Sequence, residues 1–118
     1  MTVSASLQLW ITQVAEETKH LEQKVISLLS LSEKQRLNRI TSYKKKREYL
    51  LSRSLMRHAL SQQFKQPVNN WQFIEQANAA PIINNLPENT YFSLSHSNGY
   101  ICFVISQFPV GIDLESIK

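Results

Sequence analysis

The stretch from Ser42 to Phe64 constrains the fold most, because it contains neither glycine nor proline over its whole length. Its apolar residues recur every three or four positions, the spacing that places side chains on one face of an α-helix. They are Leu50, Leu51, Leu55, Met56, Ala59, Leu60 and Phe64. Pro67 ends the pattern, since proline interrupts the hydrogen bonding of a helix. The sequence therefore predicts one long helix with a core-facing side.

A shorter helix is predicted just before this one, and strands are predicted on both sides of the helical region. Ser30 stands three residues ahead of Glu33, which is the spacing of a capping box at a helix N-terminus. Segments rich in β-branched and aromatic residues predict strands at residues 7–14, 71–74, 91–94, 100–106 and 110–114. Asn98-Gly99 predicts a tight hairpin turn, whereas residues 78–89, which include two prolines, are predicted to be loop.

These elements predict a single α+β domain over residues 1–118, because a chain of this length with 42% apolar side chains fits one modest core. The chain has no run of about 18 apolar residues, and its start lacks the pattern of a secretory signal. We therefore expect a soluble, cytoplasmic protein. Cys102, the only cysteine, has apolar neighbours and predicts a small core residue, not a disulfide or a reactive thiol.

The charge balance predicts an anionic partner. A net charge of +4 and a pI near 9.4 fit nucleic acid, a phosphate-bearing small molecule or an acidic protein. With only 2 glycines the chain cannot form a glycine-rich phosphate loop, so side chains would have to hold phosphate. The many arginines and lysines between Glu33 and Arg57 form either a solvated helix face or a surface toward an anionic ligand.

Asp113 and Glu115 form an acidic pair on the last predicted strand. On a strand their side chains share one face, and their Cα atoms would lie about 6–7 Å apart. Two carboxylates this close favour a compensating Mg²⁺, which commonly takes one or two carboxylates together with substrate phosphates and water. The alternative is a solvated strand edge that bears ordinary surface acids.

His96 lies in a run of hydroxyl residues, Ser93, Ser95 and Ser97, beside the predicted hairpin turn. One interpretation is a polar hairpin loop. The other is a phosphate grip, in which the imidazole and a neighbouring serine hydroxyl donate hydrogen bonds to phosphate oxygens. Adjacent residues on a strand point to opposite faces, so this serine and histidine do not form a nucleophile and base pair.

Three segments of the chain occur together in a recognisable order. They are Glu33–Arg39 with the helical segment Arg47–Arg53, then Phe92–Ser97 (FSLSHS), then Pro109–Glu115 (PVGIDLE). The last two, in this order and spacing, are highly specific and resemble the 4′-phosphopantetheinyl transferases of the surfactin-synthetase-activating type. The resemblance runs from about Leu7 to the last residue. It implies transfer of the phosphopantetheine arm of coenzyme A to a serine of an acyl or peptidyl carrier protein.

The resemblance also implies roles for particular residues. Asp113 and Glu115 match the Mg²⁺ ligands of the family, and Ser95 with His96 match its contacts to the phosphates of coenzyme A. Arg47 and Lys34 resemble the basic positions that meet the 3′-phosphate of the nucleotide. None of these residues is a convincing general base for the attacking serine, so the catalytic base stays unassigned.

The chain departs from the family pattern at two points. Where the family commonly has Gly-Lys-Pro, this chain has Ala79-Ala80-Pro81, which removes a cationic phosphate contact. The family fold has two similar halves about a pseudo-twofold axis with the active site between them, and this chain resembles the N-terminal half alone. The C-terminal half, with its Trp-x-x-Lys-Glu-type motif, is absent. The implied fold is one α+β half, an antiparallel sheet packed on a long helix.

A half of such an enzyme is expected to need a second half or self-association for activity. The face that packs on the second half would be apolar and exposed, so we expect a dimer or a higher oligomer. The alternative function is a non-catalytic module that binds coenzyme A or a carrier protein. Nucleic-acid binding rests on charge alone and has no recognised motif, so we expect neither nucleic acid nor membrane as a partner.

Overall fold

The computed structural model describes residues 7–13, 19–77 and 79–109. The elements in these ranges are β1 (Leu7–Gln13), α1 (Lys19–Leu28), α2 (Leu31–Arg39), α3 (Tyr43–Phe64), a short 3₁₀-helix (Val68–Asn70), β2 (Phe73–Gln76), β3 (Ala79–Ile83), β4 (Tyr91–Ser97) and β5 (Tyr100–Ser106). Helices and antiparallel strands occupy separate parts of the chain, which confirms the predicted α+β class. None of the described helices has both the length and the apolar character needed to cross a lipid bilayer. The predicted strand at residues 110–114 lies outside the described ranges.

Of the two predicted helices, α2 begins at its predicted cap, and α3 begins where the predicted helical stretch begins. The Ser30 hydroxyl accepts a hydrogen bond from the Glu33 backbone N–H, and Glu33 Oε1 accepts one from the Ser30 N–H at 2.9 Å. Both reciprocal bonds of the capping box are therefore present at the start of α2. α3 begins after Ser42, whose hydroxyl accepts from the backbone N–H of Lys45. It ends before Lys65, which adopts the left-handed conformation that often terminates helices.

β1, β5 and β4 form an antiparallel sheet with β5 in the centre. The chain turns between β4 and β5 at Asn98 and Gly99, whose φ angles are 53° and 80°, as the hairpin prediction requires. One face of this sheet packs on α3, because Phe103 joins the buried cluster that contains Met56 and Leu60 of the helix. This is the predicted antiparallel sheet packed on a long helix.

The opposite face of this sheet, here called the outer sheet face, carries exposed apolar side chains on β1. Leu7, Leu9 and Ile11 are 55%, 47% and 56% exposed. Leu9 is registered with Val104 of β5 and Ile11 with Cys102, and both β5 residues are buried. Burial raises the pKa of the Cys102 thiol, which agrees with a core residue and not with a reactive one.

One segment that the sequence predicts as loop is in fact a strand. β3 pairs antiparallel with β2, with Phe73 opposite Ile83. The loop prediction for residues 78–89 is wrong at this place because Pro81 argues against a strand. The pair has an irregular register in its middle, and among the described residues its sheet contains these two strands alone, so a proline without an N–H donor costs little there. Predicted strand 71–74 is likewise displaced, since β2 covers Phe73–Gln76.

Candidate anion-binding pocket

An open pocket of about 510 Å³ lies where α2 and α3 approach β3 and β4. Residues three or four positions apart bring one face of α3 to this pocket, whereas the strands supply its other side. The lining residues are Arg36 and Ile40 from α2 and its C-cap, Lys45, Glu48, Tyr49, Ser52 and Arg53 from α3, Ala79, Ala80 and Pro81 from β3, and Leu94 and His96 from β4.

β4 directs His96 into this pocket and Ser95 away from it. His96 is registered with Ile101 of β5 and Ser95 with Cys102, and neighbouring residues of a strand face opposite sides. The Ser95 hydroxyl oxygen is buried and has no hydrogen-bond partner in the described part of the chain. The structure thus places the two residues of the predicted phosphate grip on opposite faces of the sheet, with His96 alone on the pocket wall.

The other predicted site residues lie away from the pocket wall or outside the described ranges. Lys34 is exposed on α2, and Arg47 places its guanidinium carbon 5.5 Å from the centroid of the Tyr43 ring on α3. Neither residue lines the pocket. Asp113 and Glu115 lie outside the described residues. Within those residues no group of three or more histidine, cysteine, aspartate or glutamate side chains could hold a metal ion.

Two arginines of the basic segment are buried in ion pairs inside the protein. Arg57 is 1% exposed and donates two hydrogen bonds of 2.7 Å to the carboxylate of Glu33, which is fully buried. Arg53 donates from Nε to Glu75 Oε1 at 2.7 Å, and its Nη2 lies 2.6 Å from the same oxygen. For these two residues the solvated-face interpretation is wrong, because their guanidinium groups contact internal carboxylates.

Glu75 of β2 joins three side chains that line the pocket. Besides Arg53, it accepts a hydrogen bond from the Tyr49 hydroxyl at 2.6 Å and one from Arg36 Nη1 at 3.3 Å. Burial raises the pKa of Tyr49 well above its usual range, and the bond to Glu75 raises it further, although the nearby Arg53 cation opposes the increase. Tyr49 therefore keeps its proton and serves as a donor, not as a general base.

Lys45 and His96 remain as the basic side chains of the wall that make no ion pair with a carboxylate of the described residues. They belong to different elements, α3 and β4, which approach each other at the pocket. Side-chain donors of this kind bind phosphate oxygens through charge-assisted hydrogen bonds. The arrangement can therefore hold an anionic ligand without a glycine-rich loop.

Comparison with known proteins identifies the family. A family model described as the N-terminal part of 4′-phosphopantetheinyl transferase matches residues 15–108. The 4′-phosphopantetheinyl transferase psf-1 of Bacillus pumilus is 33% identical over 72 residues, which are 61% of this chain and 30% of psf-1. The 4′-phosphopantetheinyl transferase ffp of Bacillus subtilis is 28% identical over 103 residues, which are 87% of this chain and 44% of ffp.

A third relative gives the same result. The 4′-phosphopantetheinyl transferase Sfp of Bacillus subtilis strain 168 is 26% identical over 96 residues, which are 81% of this chain and 42% of Sfp. The chain thus spans less than half the length of the curated relatives that it matches. The family match covers most of the chain and agrees with the sheet packed on a long helix, so the chain belongs to the 4′-phosphopantetheinyl transferase family, to its N-terminal part.

Proposed function

We propose that this chain takes part in the transfer of the phosphopantetheine arm of coenzyme A to a serine of an acyl or peptidyl carrier protein, with its pocket as the coenzyme A site. The observation that carries the proposal is His96, which stands in the FSLSHS segment and on the wall of the basic pocket. Family membership supports the same function, since the relatives are named as 4′-phosphopantetheinyl transferases.

Coenzyme A suits the pocket because it is a polyanion with a pyrophosphate and a 3′-phosphate. In the proposed complex His96 donates a hydrogen bond to a phosphate oxygen as negative charge builds on the leaving group. Lys34 and Arg47 remain proposed coenzyme A contacts by family resemblance, and they would meet parts of the ligand that extend beyond the pocket wall. Ser95 remains a proposed contact by resemblance alone, because its buried hydroxyl lies on the opposite face of the sheet.

Asp113 and Glu115 are proposed to hold Mg²⁺, also by resemblance. A bound Mg²⁺ would offset the charge of the pyrophosphate of coenzyme A. Tyr49 of the pocket wall is not proposed as the general base, because burial raises its pKa and it keeps its proton. The general base stays unassigned. We therefore expect a second half or self-association to be required for the transfer reaction.

Calorimetric titration with coenzyme A tests the proposed site. The unaltered chain is expected to bind, and His96→Gln is expected to bind about tenfold more weakly, because a hydrogen bond to a charged group contributes about 1.5–3 kcal/mol. His58→Gln is the matched control, since His58 is exposed on α3 and does not line the pocket. No binding by the unaltered chain, or equal affinity in both variants, would contradict the proposal.

The competing function is a non-catalytic module that binds coenzyme A or a carrier protein. The uncharged Ala79-Ala80 segment on the pocket wall favours it, because no cation is available on that side. The two functions differ in one product. The chain, coenzyme A, Mg²⁺ and an apo carrier protein are incubated, and the carrier is weighed by mass spectrometry. Added phosphopantetheine mass supports the transferase and contradicts the binding module; unchanged mass, while Sfp modifies the same carrier, shows that the chain is not an enzyme by itself.

A further inference from the structure

The cations on the pocket wall are not equally available to a ligand. Four basic side chains line the pocket: Arg36, Lys45, Arg53 and His96. Arg36 lies 3.3 Å from Glu75 and also donates to the Gln76 carbonyl at 2.7 Å. Arg53 is 5% exposed and contacts the same carboxylate at 2.6 Å. Both guanidinium groups are thus held by the same internal carboxylate, which offsets part of their combined charge toward a ligand.

Lys45, in contrast, is not held by a carboxylate of the described residues. Its side chain is exposed on the first turn of α3, and it makes no ion pair with a carboxylate of the described ranges. Glu48 shares the pocket wall but does not pair with Lys45. The first turn of α3 contains no acidic residue, so a cation there lies near the positive end of the helix dipole without compensation. A bound anion would supply that compensation.

β3, on the strand side of the pocket, provides no charged side chain for a bound anion. β3 contributes Ala79, Ala80 and Pro81, none of which carries a charge or a side-chain donor. The two alanines are exposed and short, so they leave space in the pocket without offering a contact to phosphate. Beyond His96, a phosphate in this pocket therefore has Lys45 as its uncommitted cationic partner among the described residues.

We propose that Lys45 is the residue that determines the affinity of this pocket for a phosphate-bearing ligand. In this proposal Glu75 holds the guanidinium groups of Arg36 and Arg53 in place as part of the pocket wall. The identity of the ligand as coenzyme A rests on the proposed function. The role of Lys45 rests on the charges of the pocket, and inorganic pyrophosphate tests it separately.

Calorimetric titrations with coenzyme A and with inorganic pyrophosphate test this role. Lys45→Ala is expected to weaken the binding of both ligands about tenfold or more, because it removes one charge-assisted contact. Lys45→Arg keeps the charge and is expected to stay within about threefold of the unaltered chain. Lys44→Ala and Lys46→Ala are matched controls, since these neighbours remove the same charge from the same helix turn but do not line the pocket. They are expected to change affinity less than about twofold.

Each outcome separates the two proposals. If pyrophosphate binds and coenzyme A does not, while only Lys45→Ala weakens the pyrophosphate complex, the role of Lys45 holds and the coenzyme A function fails. If Lys45→Ala binds both ligands as the unaltered chain does, the role of Lys45 is wrong and the coenzyme A function stands. An equal loss in all three alanine variants shows a general charge effect and overturns the role of Lys45. Absence of binding by both ligands to the unaltered chain overturns both proposals.

Discussion

At the scale of single residues, charged side chains form part of the core. Arg53 and Arg57 stand four positions apart, and Arg57 directly follows the buried Met56. Their positions on the core-facing side of α3 could have indicated internal partners. The identity of the partners could not be predicted from the sequence, because Glu33 lies 24 residues from Arg57 and Glu75 lies 22 residues from Arg53. Contacts over such separations depend on tertiary packing, which local patterns do not encode.

The pair between Glu33 and Arg57 gives a stability prediction. Arg57→Met is expected to lower the free energy of unfolding by about 3–5 kcal/mol, because it leaves the buried Glu33 carboxylate without its cation. Urea denaturation measures the change. Arg39→Met, at an exposed position of α2, is the control and is expected to cost less than about 1 kcal/mol. Adding Glu33→Gln to Arg57→Met should recover part of the loss. Similar losses in the two single variants would contradict the buried-pair interpretation.

The residues of the pocket were predictable only in part. His96 could be predicted from its motif, and its place on the pocket wall follows from the alternation of β4. Lys45 carried a usable signal, since it lies four and eight positions before Tyr49 and Arg53 on one helix face. Glu75 carried none, because a single acidic residue in a short strand has no special spacing.

At the scale of elements, sequence prediction succeeded where local chemistry determines the structure. The capping box of α2, the long α3 and the Asn98-Gly99 turn all depend on residues close in the chain. α1 was not predicted, because it is mostly polar. Among the α1 side chains that the structure describes, only that of Val25 is buried. The formation of α1 depends on packing against α3, and tertiary packing stabilises most helices in proteins. β3 was missed because its pairing with β2 outweighs the signal of Pro81.

The hairpin turn gives a prediction at this scale. Gly99 has a φ of 80°, and a Cβ added there would meet no atom within 4 Å, so the cost of Gly99→Ala comes from the backbone conformation alone. We expect a loss of about 1 kcal/mol and a Tm lower by about 4 °C. Asn98→Gly, at a φ of 53°, is expected to leave the Tm nearly unchanged or to raise it. A Tm unaffected by Gly99→Ala in a thermal melt would contradict the left-handed turn.

At the scale of the whole molecule, the sheet has two different faces. One is covered by α3, whereas the outer sheet face exposes Leu7, Leu9 and Ile11. Adjacent apolar side chains at this exposure are typical of surfaces that contact another protein. The exposed face supports the predicted association, with either a second half of the enzyme or a second copy of the chain as the partner.

Sedimentation at increasing protein concentration tests this association. The unaltered chain is expected to form a dimer or a higher oligomer, and Ile11→Lys is expected to shift it to monomer by placing a charge on the outer sheet face. Leu31→Lys is the control, because Leu31 is 73% exposed but belongs to α2. A clean monomer of the unaltered chain at high concentration, or an equal shift in both variants, would rule out the outer sheet face as the contact.

The most direct test of the coenzyme A site is a titration followed by ¹H–¹⁵N NMR on the assigned chain. Binding in the pocket predicts that the largest amide shift changes occur at Lys45, Ala79, Ala80 and His96, which line it. The amide of Leu9 on the outer sheet face is expected to stay unchanged. Changes confined to the outer sheet face, or no changes at saturating coenzyme A, would contradict the proposed site.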